Sequence, residues 1–198
     1  MSLGLPAPEG LPASSVALMR IVVAGTHAVG KSTLVSDFAM SHPQFQVLTD
    51  PFDLIDDPDP ASAASFRDQF DLAAERLLML EAGADVIAER GPLDFIAYLE
   101  ASVRLGRATV SAPMWEALRA TATAAMAHVD LLVVLPLTGA QGIWVPDEED
   151  PQLRTAMDEQ LLDLCDDEEM VAGVGSVLEL AGPLEDRLIH LTQCLDLT

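Results

Sequence analysis

The sequence predicts a three-layer α/β domain, in which a parallel sheet of five strands carries helices on both faces. Three observations lead there. Short apolar runs alternate along the chain with amphipathic stretches of helical length, the pattern of parallel strands joined by crossover helices. The run Asp130–Leu137 (DLLVVLPL) lacks polar alternation, as a strand covered on both faces should. A glycine-rich turn, Gly25–Ser32, lies between an apolar run and a helical pattern.

Ala17–Ala24 (ALMRIVVA) reads as the first strand, β-branched at its centre. Ser32–Met40 places Leu34, Val35, Phe38 and Ala39 at helical spacing. Phe45–Thr49 is a short second strand ending at Asp50, and Pro51–Ser65, rich in Pro, Asp and Ser, reads as a loop. Phe66–Glu81 carries Phe66, Phe70, Ala73, Leu77 and Leu80 on one helical stripe. Ala84–Ala88 is the third strand, closed by Glu89-Arg90 and broken by Gly91-Pro92. Helices follow at Leu93–Leu105 and Ala112–Ala127, then the fourth strand Asp130–Leu137. Residues 138–151 form an acidic loop, within a lid region assigned to 138–154. A helix at Gln152–Glu169, a fifth strand at Val174–Leu180 and a helix at Pro183–Cys194 complete the chain.

With 198 residues the chain has the size of one domain, assigned to 16–198. Residues 1–15, punctuated by Pro6, Pro8, Gly10 and Pro12, read as a loose tail. The formal net charge is −22, so nucleic acid and anionic membranes are excluded as expected partners. No basic-then-apolar leader and no run of 18 apolar residues occurs, and a cytoplasmic location is the default expectation. Cys165 and Cys194 read as buried free thiols. Trp115 and Trp144 read as packing residues, and the acids at 166–169 as a solvated face.

Gly25–Ser32 matches G-x-x-x-x-G-K-S/T in full, after a strand and before a helix, as a phosphate-cradling loop requires. Gly25 and Gly30 permit the backbone turns that aim amides inward, and the helix start adds its positive dipole end. Lys31, the chain's single lysine, supplies a mobile point charge for the outer phosphates. The Ser32 hydroxyl suits Mg²⁺, and Thr33 would support the α-phosphate side. The nucleotide contacts are therefore assigned to Gly25, Thr26, His27, Ala28, Val29, Gly30, Lys31, Ser32 and Thr33. His27, in the variable part of the loop, reads as a tolerated half-exposed residue, with sensing of phosphate or substrate as the alternative.

A GTP switch reads guanine through Asn-Lys-x-Asp, and this chain contains no asparagine. A motor-type ATPase carries a strand of four apolar residues ending in Asp-Glu, and no such strand is present. Phosphoryl transfer to a small molecule needs a carboxylate, an arginine and a water-excluding lid. Glu89 and Arg90 end the third strand, Asp50 ends the second, and Arg154 follows the acidic loop.

The segments GTHAVGKSTL, ADVIAERGPLDFIAYL and PDEEDPQLR, in that order and spacing, resemble the phosphate-loop kinase family. Within it the chain is most similar to the nicotinamide-riboside-kinase domains of bacterial NAD regulators and the AAA-type ATPase domains grouped with them. Deoxynucleoside kinases are more distant relatives. In these proteins Asp/Glu-Arg-Ser/Thr-Pro-x-Asp-x-x-Ala-Tyr follows the third strand; here it reads Glu89-Arg90-Gly91-Pro92-Leu93-Asp94-Phe95-Ile96-Ala97-Tyr98, with Gly91 in place of the hydroxyl residue.

The resemblance implies strand order 2-3-1-4-5, ATP and Mg²⁺ as cofactors, and a nucleoside-like or other small hydroxylated acceptor. Lys31 and Arg90 would clamp the transferred phosphoryl, and Ser32 with Glu89 or Asp50 would hold Mg²⁺. Asp50 or Glu89 would accept the acceptor's proton, and Arg154 would close from the lid. Gln69 sits where relatives contact the acceptor; on its own pattern it is a plain polar helix residue, as Asp94 is an acid favoured by a helix start. The acidic lid, Asp147–Asp150, motivates an alternative: an ATP-binding regulatory module or weak ATPase. The oligomeric state stays open, a homodimer included.

Overall fold

A computed structural model describes residues 19–81, 83–137 and 150–196. Five strands, β1 (Arg20–Ala24), β2 (Gln46–Leu48), β3 (Val86–Glu89), β4 (Leu131–Val134) and β5 (Ser176–Glu179), form one sheet in the order β2-β3-β1-β4-β5. Every neighbouring pair is parallel, with Ile21 opposite both Ile87 and Leu131. This is the sheet and strand order the sequence predicts. The central strands β1, β3 and β4 are buried throughout except Arg20, whereas edge strands β2 and β5 are largely exposed.

Strand alternation splits the core in two. Val22, Ala24, Ala88, Leu132 and Val134 face one apolar cluster, shared with α2 (Ala63–Leu78), α3 (Pro92–Arg104), α4 (Ala112–Met126) and α5 (Pro151–Asp166). Ile21, Val23, Ile87, Leu131 and Val133 face the other, with α1 (Lys31–Ser41) and α7 (Leu184–Asp196). Side chains such as Val23 and Phe38 are fully buried, each worth roughly 1.5–3 kcal/mol.

The helix ends depart from the sequence pattern for local reasons. The loop expected over Pro51–Ser65 holds a 3₁₀ turn at Pro51–Asp53 and the start of α2, because the Ser62 hydroxyl accepts the Ser65 amide and caps the helix early. The single helix expected over Gln152–Glu169 is broken at Asp167, whose extended backbone and side chain cap a separate short helix, α6 (Glu168–Val171). Asp167 also pairs with Arg119, so that acidic run is partly structural. The expected tail at 1–15 lies outside the described residues, as do Trp144 and all of the expected lid before Asp150. Among the described residues no helix is long and apolar enough to cross a membrane.

Candidate functional site: a phosphate loop beside a cavity

The glycine loop joins the C-terminal end of β1 to α1. Gly25 has φ 153°, and a Cβ there would stand 2.8 Å from the Leu135 carbonyl oxygen, so only glycine fits. Gly30 (φ 89°) is the left-handed residue that starts α1, and Ala28 adopts φ 52°. First-turn amides have no carbonyl within their own helix to bond. Among the described residues, none of the amides of Ala28–Thr33 donates a hydrogen bond. These amides, together with exposed Ser32 and Thr33, leave donors unbonded at a helix start, a setting that favours anions.

Lys31 is buried, and its Nζ donates to the Thr26 carbonyl at 2.8 Å. Burial, with Arg90 nearby, pushes its pKa down to about 7. Thr26 is fully buried, and its hydroxyl has no partner among the described residues. The Ser32 hydroxyl donates to Glu89 Oε1 at 2.7 Å, which brings a hydroxyl and a carboxylate together from α1 and the end of β3. Hard oxygen donors of this kind, completed by phosphate oxygens and water, suit Mg²⁺. The residues present therefore fit both a triphosphate and its metal.

Arg90 has φ 65°, a left-handed conformation that costs about 1–3 kcal/mol in a side-chain-bearing residue. Its partners hold it there. Nε donates to Asp50 Oδ2 at 2.7 Å, Nη1 donates to the Gly25 carbonyl at 3.0 Å, and Asp94 lies 3.6 Å from Nη1. Its guanidinium also covers the Tyr98 ring, 5.3 Å from the centroid. Glu89 and Arg90 are thus not paired with each other; each reaches a different element. Asp50 accepts the Phe52 amide at 3.0 Å as well, so it caps a turn and anchors Arg90 at once.

Asp94 does more than complement a helix dipole. It is fully buried and accepts the amides of Gly25 and Gly91, each at 2.9 Å, tying the phosphate loop to the start of α3. Burial raises its pKa, against the opposing pull of Arg90 and the two amides. Tyr98, one turn further along α3, accepts the His27 amide at 3.1 Å and lies 2.9 Å from His27 Nδ1. One readable signal points to both: Asp94 and Tyr98 stand four apart, on one face of the helix that begins where β3 ends.

His27 is half-buried and stacks parallel to Tyr98. Burial first, then Arg90, Lys31 and Arg154, lower its pKa to about 4. Arg154, on α5, donates to the carbonyls of His27 and Ala28, both at 3.0 Å, and so braces the outer side of the loop. Gly91 has an ordinary extended backbone. Its reason is space, because a Cβ there would lie 2.9 Å from Val22 Cγ1.

Beside the loop opens a cavity of about 490 Å³, within the size range of small-molecule sites. Phe52, Phe66 and Tyr98 supply aromatic surface, and His27, Gln69 and Arg90 supply polar groups. Phe66 and Tyr98 stack 4.6 Å apart. Gln69 is buried, its amide nitrogen held by the Pro60 carbonyl and the Ser65 hydroxyl.

No protein-family model matches the chain, and no curated protein matches it in sequence. Solved structures resemble it in fold. Thymidylate kinase from Candida albicans superposes with a TM-score of 0.65 at 15% identity, covering 91% of this chain and 92% of that one. Deoxyadenosine kinase from M. mycoides with bound dATP gives 0.64 at 11% identity, covering 90% and 99%. The same enzyme with bound dCTP gives 0.63 at 11%, covering 91% and 100%. The chain has the phosphate-loop kinase fold. The similarity bears out the fold that the resemblance implies and does not single out the nicotinamide-riboside-kinase subset.

Proposed function

We propose that this chain is a kinase that binds ATP with Mg²⁺ on Gly25–Thr33 and transfers the γ-phosphoryl group to a hydroxyl of a nucleoside-like or other small acceptor. One observation carries the reading: the 490 Å³ cavity adjoins the phosphate loop directly, since His27 belongs to both and Arg90, on the cavity wall, donates to the Gly25 carbonyl. A pocket that only bound ATP would have no need of a second, aromatic-walled chamber next to the outer phosphates.

The roles follow from placement. Lys31 and Arg90 offset charge on the transferred group. Glu89, already bonded to Ser32, belongs to the metal side, where Mg²⁺ would neutralise phosphate oxygens. Asp50 adjoins Phe52 on the cavity wall and is the better-placed proton acceptor. Aromatic walls position the acceptor and keep water out.

One observation favours the regulatory or weak-ATPase alternative. Arg154, the basic residue of the expected lid, is committed to loop carbonyls. Labelled ATP offered with a panel of nucleosides and small alcohols separates the two. Label transfer that disappears in Lys31→Ala supports the kinase; tight ATP binding with no transfer to any acceptor sinks it.

A further inference from the structure

We propose that the acceptor enters the cavity as a neutral alcohol, and that phosphate monoesters are excluded from it by charge. This rests on the kinase reading and narrows it. The solved neighbours leave the matter open, since a thymidylate kinase and a deoxyadenosine kinase are both among them.

The argument is a complete census of cations. The chain has ten basic residues, and all ten belong to described segments. Residues 138–149, wherever they lie, contain no Lys or Arg and three acids, Asp147, Glu148 and Glu149. Lys31 and Arg154 serve the phosphate loop. Five arginines are neutralised in ion pairs: Arg20 with Asp130, Arg67 with Asp71, Arg104 with Glu159, Arg107 with Asp150, and Arg119 with Glu100 and Asp167. Arg76 donates to the Thr49 carbonyl, and Arg187 to those of Gly182 and Val29.

Among the described residues Arg90 is the one lysine or arginine that lines the cavity, with Lys31 and Arg154 acting from the phosphate-loop side, and two carboxylates, Asp50 and Asp94, already oppose it. Asp150, at the rim, meets Arg107, so that pair adds no positive charge. His27 stays neutral at ordinary pH, with its pKa lowered to about 4. Gln69 and the aromatic rings bring no charge. A phosphate monoester, a dianion at neutral pH, would find no uncommitted cation here, and would compete with the transferred group for Arg90. A hydroxyl needs none. Its oxygen bonds to the γ-phosphorus, the bond from that phosphorus to the β–γ bridging oxygen breaks, and the electron pair leaves with ADP. The hydroxyl proton passes to Asp50. The product is a monoester, the species the wall disfavours, so charge also promotes its release.

The experiment pairs each common nucleoside and deoxynucleoside with its own 5′-monophosphate, using labelled ATP and Mg²⁺. The expected result is a kcat/KM for the neutral member at least about a hundredfold above that of its monophosphate. Equal or better use of the monophosphate overturns the inference and leaves the kinase reading standing. Transfer to neither member, nor to any alcohol of the wider panel, with ATP bound, overturns both. A second variant tests the cause. Phe52 is a half-exposed wall residue, so Phe52→Arg adds a cation without disturbing the core. It should raise monophosphate use about tenfold or more; no rise would mean that exclusion is steric, against the proposal.

Discussion

Asp94 Oδ1 accepts the backbone amide of Gly25 at 2.9 Å, across 69 residues of sequence. This one carboxylate fixes the first glycine of the phosphate loop, the start of α3 and the guanidinium of Arg90. Asp94→Ala leaves two buried amides and a buried cation short of a partner. It should cost about 3–5 kcal/mol in denaturant-induced unfolding, as breaking a buried ion pair does. Asp94→Asn retains an acceptor oxygen and should cost less. Equal stability of Asp94→Ala and the parent chain would refute this account.

The Ser32–Glu89 contact predicts a metal phenotype distinct from a nucleotide phenotype. Glu89→Gln keeps the shape but removes the charge. The Mg²⁺ concentration needed for half-maximal transfer should rise about tenfold or more, while metal-free ATP binding, followed by calorimetry, should change little. A variant whose Mg²⁺ requirement is unaltered would move the metal site elsewhere.

Lys31 makes nucleotide affinity depend on pH. In the nucleotide-free chain its amine titrates near pH 7, lowered by burial and by Arg90. A bound triphosphate favours the charged form, so binding takes up a proton whenever the amine starts neutral. Affinity should weaken as pH rises above about 7, by up to about tenfold per unit. Titrations in buffers of different ionisation enthalpy would count the proton. Lys31→Met should bind weakly and without this uptake.

His27 should govern part of the acid stability. Its pKa is about 4 in the folded chain, against 6.5 for an unperturbed imidazole. Between those values the unfolded chain holds the extra proton, so stability falls as pH drops from about 6.5 to about 4. Below that window both states are protonated and the effect is complete. His27→Gln should flatten this stretch of a melting-temperature profile; an unchanged profile would remove His27 from the account.

Much of the fold was legible because it is written locally. Apolar runs such as Ile21–Ala24 and Leu131–Val134 signal buried strands through their own residues and flanks, and the loop pattern needs only eight consecutive residues. Glu89, Arg90 and Asp50 could be singled out because they end strands. What stayed hidden were relationships across the fold. The partners of Asp94 and Tyr98 lie 69 and 71 residues away, in the loop, and their burial comes from packing that no local window contains. Arg154 illustrates the same limit: its position at a helix start was readable, but its grip on the His27 and Ala28 carbonyls depends on where α5 docks.

The crowding between Gly91 and Val22 has a bearing on mutational history. A serine at 91 would press its Cβ to within 2.9 Å of Val22 Cγ1, so one of the two must shift. Shortening Val22 first opens the space but leaves a void in the core, at a cost of order 1 kcal/mol or more until it is filled. Position 91 is thus coupled to a strand residue: a side chain there is best accommodated when Val22 shrinks with it.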